Sequence, residues 1–188
     1  MKILNLNKFA TWPSSKILKI LIVFSLILFF VVYPIMAWQF VLSGDVVSPL
    51  ASQLSFSGAF LKLQYATIFG AGGLENYRIG QILDYGFMVS YSLLIFSLGL
   101  IIARKITETS IWRKLGFVFA IAGPIATCFD ATENAFILLT LTDPSGFPDW
   151  WALAHSSAAS VKWILLLIAI IGILLAVSYY LLVIRRKK

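Results

Sequence analysis

The chain has 188 residues, of which 60% are hydrophobic and 12% charged, with a mean hydropathy of +0.92 and a formal net charge of +7. Such a composition belongs to an integral membrane protein, and four apolar runs of about 20 residues, each enough to cross a bilayer, leave no room for a separate soluble domain. The basic excess gathers at the ends of those runs, where it reports membrane topology, so nucleic acid is excluded as a partner.

The expectation is an all-α fold: a single integral membrane domain over 1–188, built as a four-transmembrane-helix bundle with an additional interfacial helix in the first extracytoplasmic loop. Lys2, Lys8, Lys16 and Lys19 precede a run from Ile20 to Leu42 that is apolar except for Ser25 and Gln39. The run exceeds the roughly 7–15 residues of a cleavable signal, and no small-residue cleavage site follows it, so it reads as a retained first crossing over about 17–42. Pro34 is expected to bend it. Trp38 and Phe40 suit the far interface, where aromatic belts form.

Residues 43–80 form the long connection. Ser48-Pro49 is a cap followed by proline at the first helical position, and Gly70-Ala71-Gly72-Gly73 is a strong stop, so one helix is expected over about 49–69. Leu50, Leu54, Leu61, Tyr65 and Ile68 fall on one stripe with Ser52, Gln53 and Gln64 largely elsewhere, the pattern of an interfacial helix lying over the bundle. A short packed or re-entrant loop helix is the alternative.

The second crossing is expected over about 79–104, with Arg104, Lys105, Arg113 and Lys114 around the short turn after it. The third, about 113–142, carries Gly123-Pro124 in its middle, a kink expected just before Asp130. The acidic turn Asp143 to Asp149 leads into the fourth crossing, about 150–184, which ends in Arg185-Arg186-Lys187-Lys188. Twelve of the fifteen Lys and Arg residues thus fall on the two tails and the turn between crossings two and three. The positive-inside rule puts both termini in the cytoplasm of a cell whose inner (plasma) membrane the chain spans.

The third crossing holds the most informative stretch, Thr-Cys-Phe-Asp-Ala-Thr-Glu-Asn from Thr127 to Asn134. Asp130, Glu133 and Asn134 stand at i, i+3 and i+4, on one face of a helix. Carboxylates inside a membrane helix are expensive, face the bundle interior and mark functional positions. Counting from the cytoplasmic ends at about 1.5 Å per residue, a hydrocarbon core of about 30 Å reaches roughly Leu83, Ala135 and Ile164 on crossings two, three and four. Asp84, the Asp130 face and Lys162 therefore share one depth, near the outer boundary. His155, at i and i+7 with Lys162, is expected in a rim outside the hydrocarbon. Gln81, Asp84, Tyr85, Met88 and Tyr91 form a polar and aromatic stripe on crossing two. Together they outline a pocket at the outer headgroup level.

In this reading Asp130 and Glu133 are candidate acid or base groups and Lys162 their electrostatic partner, these three being the candidate catalytic residues. Asp84, Asn134, His155, Gln81 and Tyr85 are candidate ligand-binding residues. Each has a plainer alternative. Lys162 could reach out to headgroups, Asp130 and Lys162 could be a structural ion pair, His155 could cap a helix, and Asn134 could bond across helices. No metal site is expected, and the cofactor is unknown. A lone Cys128 excludes an internal disulfide and a cysteine-rich metal site, and a lone histidine excludes bis-histidine haem from one chain.

Tyr77, Gln81 to Asp84, the Asp130-x-x-Glu133-Asn134 motif, and Ala158-Ala159 followed by Lys162-Trp163 together resemble a family of small uncharacterised bacterial four-helix membrane proteins. The likeness spans about residues 70–163 and implies the same four-crossing layout and polar positions, with no activity attached. A looser likeness, of architecture alone, links the chain to the sterol-isomerase-like four-helix membrane proteins, which place acids in a lipid-accessible pocket.

Three functions stay open. The first is binding or chemistry on a lipid-like molecule from the outer leaflet. The second is a small transporter or a proton or cation pathway, against which the uncharged inner halves of the crossings count, unless a homo-oligomer supplies the path. The third is an accessory or scaffolding subunit. Sequences typical of serine hydrolases, zincins and Walker-type nucleotide sites are missing.

Overall fold

The computed structural model describes residues 6–184, so Lys2 and 185–188, on which the expected orientation partly rests, lie outside the described residues. Among the described residues there are six α-helices and no strand. A short 3-10 helix, Leu6–Ala10, precedes α1 (Ser15–Leu42), α2 (Pro49–Gln53), α3 (Gly58–Gly70), α4 (Leu74–Lys105), α5 (Ile111–Thr140) and α6 (Asp149–Tyr179), and a π-helical turn, Tyr180–Ile184, extends the last of these. The helices α1, α4, α5 and α6 are long and apolar enough to cross a membrane. The chain is an all-α, four-helix, multi-pass membrane protein.

Serines set the helix starts. Ser14, Ser48, Ser57 and Ser110 each accept a hydrogen bond from a backbone N–H in the first turn of α1, α2, α3 and α5, satisfying a donor that has no helical partner. Pro34 and Pro124 lie inside continuous helices. At the end of α3, Gly72 takes φ +71, and the Gly73 N–H turns back to the Ile68 carbonyl at 2.9 Å, closing the helix.

The single loop helix expected over about 49–69 is two helices. The break at 54–57 has a cause distant in sequence: Phe56 adopts φ 51, a left-handed conformation unusual for a bulky residue, and its N–H donates to Ser156 Oγ on α6 at 3.0 Å. The expected stripe holds for Leu61, Tyr65 and Ile68, which are buried, and fails for Leu50 and Leu54, which are exposed. Ser52 and Gln64, expected to face away, are buried instead. Ser52 Oγ donates to Gln64 Oε1 at 2.8 Å and Gln64 Nε2 donates to Asp45 Oδ2 at 2.8 Å, so each buried polar group finds a partner.

The helices pack in chain order, α1 along α4, α4 along α5 and α5 along α6, with α4 also touching α6; α1 and α6 are not packed against each other. Small residues let the backbones approach. A Cβ at Gly99 would lie 2.7 Å from Ala120 Cβ, and one at Gly116 2.8 Å from Ala103 Cβ, which fixes the α4–α5 contact. Helix α1 buries only Leu18, Ser25 and Met36 and turns side chains such as Phe30, 70% exposed, outward, as a lipid-facing helix does.

Along the bundle axis lie three layers. At the end bearing the 43–73 connection, Leu61, Tyr65 and Ile68 of α3 pack on Tyr77, Ile137 and Ala152, with Leu141 and Phe147 beside them. At the end bearing the termini, Leu18, Leu100, Ala103, Phe117 and Ala120 form a second apolar cluster. Asp130, Glu133 and Asn134 of α5 and Lys162 of α6 are buried between these.

Candidate functional site

On α5, Asp130, Glu133, Asn134 and Ile137 are all buried, so the expected face is the one turned inward. Lys162 of α6 lies opposite, 3% exposed, with Nζ 2.9 Å from Asp130 Oδ1 and 2.5 Å from Glu133 Oε2. It points at both acids and does not reach for headgroups. The hydroxyl of Tyr91 on α4 donates to Asp130 Oδ2 at 2.6 Å, so three helices meet on one carboxylate. This is the arrangement a buried charge needs, an opposite charge together with a hydrogen bond to the remaining oxygen.

Glu133 is held differently. It is 0% exposed, and neither of its oxygens has a hydrogen bond of proper geometry; the Lys162 contact is close without being aligned. His155 Nε2 lies 3.6 Å from Glu133 Oε1, and both ring nitrogens of His155 are buried without a hydrogen bond. His155, expected in a rim outside the hydrocarbon, is 1% exposed and so faces the bundle interior. The connection helices pack on the outer turns of α6, and Ala152, one turn before His155, belongs to the apolar layer that seals it in. Its i, i+7 relation to Lys162 holds, since both reach Glu133. Two carboxylates face one ammonium, so the three side chains carry one formal negative charge in excess.

The remaining expected site residues lie on the α4 side. Asn134 Nδ2 donates to Asp84 Oδ2 at 2.7 Å and to the Gln81 carbonyl at 3.4 Å, joining α5 to α4. Tyr85 is set apart: half-buried, it donates to the Ala131 carbonyl at 3.3 Å.

Gln81 and Asp84 also line a cavity of about 400 Å³. Its apolar wall is α1, through Tyr33, Met36, Ala37, Phe40 and Val41, together with Ile137 of α5. Its roof is the connection, through Asp45, Val47, Pro49, Ser52 and Gln53, and Tyr77 completes the α4 side. The roof is tied across the bundle, since Trp163 Nε1 of α6 donates to Gln53 Oε1 at 2.8 Å. Asp45 is held by the Val47 N–H at 3.0 Å and by Gln64. The charged group of Asp130, Glu133, Lys162 and His155 contributes nothing to the lining. Asp84 is the one acid that meets both the cavity and, through Asn134, the helix face that carries Asp130 and Glu133.

Sequence reasoning missed Asp45 and the whole α1 wall. Asp45 carried a faint signal, an acid after Ser43-Gly44 that closes a local turn onto the N–H two residues on. The α1 residues carried none, because a helix apolar on all sides does not show which stripe faces a cavity.

Comparison with protein-family models, curated proteins and solved structures finds no match to this chain.

Proposed function

We propose that this membrane protein binds a lipid-like molecule in the cavity beneath α2, with the polar end of the ligand at Asp84 and Gln81 and its apolar part along α1. The observation that carries the reading is the cavity's composition, an apolar wall with a few converging polar groups at one side, which is how small-molecule sites are built. The buried Asp130, Glu133, Lys162 and His155 group stands behind this site, enclosed, and serves first to hold α4, α5 and α6 in register. A scaffolding role for that group is favoured by its enclosure, whereas a transport path would need it to meet water.

The orientation proposed is termini inside, with the cavity at the outer headgroup level of the plasma membrane, supported by the distribution of Lys and Arg. A cysteine at Ser145, in a Cys128→Ser background, is expected to react with an impermeant thiol reagent in intact cells; labelling only after permeabilisation would reverse the topology.

Filling the cavity tests the binding reading. Ala37→Trp places a large ring in the space without touching the ion pairs, and it is expected to leave folding intact while removing co-purified lipid from protein isolated in mild detergent. An unchanged lipid profile by mass spectrometry would remove the cavity as a binding site.

A further inference from the structure

The walls of the cavity say which head group it is made for. Two carboxylates, Asp84 and Asp45, line it, and no Lys, Arg or His does. Behind Asp84 the buried layer adds two more acids and one lysine, so the field at Asp84 is acidic on balance. Asp84 Oδ2 is occupied by Asn134, and Oδ1 has no protein donor among the described residues. Gln81, buried at 6% exposure, lines the same space one helical turn from Tyr77. Tyr77, Gln81 and Asp84 stand at i, i+4 and i+7 on α4, so all three are presented on one stripe. Tyr33, Phe40 and Tyr77 add aromatic rings, whose faces favour cations. An anionic head would meet acids here with no cation in the wall, and a purely apolar ligand would leave Asp84 Oδ1 without a donor.

We propose that the cavity takes an amphiphile whose head is a primary ammonium, its N–H groups donating to the Asp84 carboxylate and the Gln81 side-chain oxygen Oε1 and its chain lying along α1. This rests on the ligand-binding reading and narrows it to one charge and one donor pattern. A primary ammonium has three N–H donors, which suits the Asp84 carboxylate and the side-chain amide oxygen of Gln81. A quaternary ammonium carries the charge without the donors, and an alcohol carries a donor without the charge.

Those three heads on one tail form the test. The protein in phosphatidylcholine nanodiscs is titrated with dodecylamine, dodecyltrimethylammonium and dodecan-1-ol, and bound probe is counted by native mass spectrometry. Dodecylamine is expected to bind one per chain, about tenfold more tightly than either other probe, as one charge-assisted hydrogen-bonded contact implies. Asp84→Asn is expected to bring the amine down to the level of the alcohol. Gln81→Leu, which leaves the Asn134 contact in place, is expected to weaken the amine alone. Equal binding of amine and alcohol, both abolished by Ala37→Trp, would overturn the head-group assignment while leaving the cavity as a binding site. Trimethylammonium binding as tight as the amine would overturn the donor pattern. Binding of no probe, or binding indifferent to Ala37→Trp, would overturn the site itself.

Discussion

Acids on the two sides of the α4–α5 seam meet opposite surroundings. Asp130 and Glu133 lie in a closed layer with their cation supplied by Lys162 of the same chain. Asp84 keeps one oxygen on Asn134 and turns toward a cavity whose walls contain no cation. Both cost desolvation, but only the first is compensated within the protein. An acid with an internal partner holds helices together, while an acid facing an open cavity is available to something else.

Removing Lys162 should break this contrast most severely. Lys162→Met leaves Asp130 and Glu133 buried together without a cation, and the expected loss is about 3–5 kcal/mol in unfolding from mixed micelles. Combining it with Asp130→Asn should recover part of that, through a coupling on the order of 1 kcal/mol or more. Strict additivity would show that the two are not partners.

A smaller effect is expected at the connection. Thr140 donates its hydroxyl hydrogen to the Ile137 carbonyl at 2.7 Å, so the Tyr65 hydroxyl, 2.9 Å away, donates to Thr140. Burial pushes the Tyr65 hydroxyl up to about 12. The folded state therefore holds this proton more tightly than the unfolded chain. Its contribution is complete below about pH 10 and is lost as pH rises toward 12, by on the order of 2 kcal/mol. Tyr65→Phe should lose this part of the alkaline slope, and an unchanged slope would assign it to other groups.

The smallest change sharpens the contrast further. Glu133→Gln keeps the shape of the side chain and removes the excess negative charge of the layer, leaving Asp130 and Lys162 balanced. Stability is expected to stay within about 1 kcal/mol of the parent, because Glu133 has no aligned hydrogen bond to lose. A loss as large as that of Lys162→Met would instead make Glu133 the main partner of the lysine.

What the sequence disclosed follows the range of each signal. Hydropathy and capping are local, so the four long helices and the Ser48 cap could be read directly. The Asp130, Glu133, Asn134 face was legible because its spacing is intrahelical, and its pairing with Lys162 followed from matched depth. The break at Phe56 was hidden because its cause is a hydroxyl on the last helix. The enclosure of His155 was not legible, because its burial depends on how α2 and α3 fold over α6. The buried Asp45, Gln64 and Ser52 chain was unreadable for the same reason: alternating polarity in a loop does not tell which side is covered.

Two of the contacts that hold the roof bear on how the molecule comes into being. Phe56 and Gln53 are bonded to Ser156 and Trp163, at separations of 100 and 110 residues. During synthesis the first crossing and its connection leave the ribosome long before the residues that pin them, so the roof stays unlatched until the final helix has inserted. A ribosome-bound nascent chain ending before Ser156 would therefore lack both contacts, and the cavity would be the last part of the protein to close.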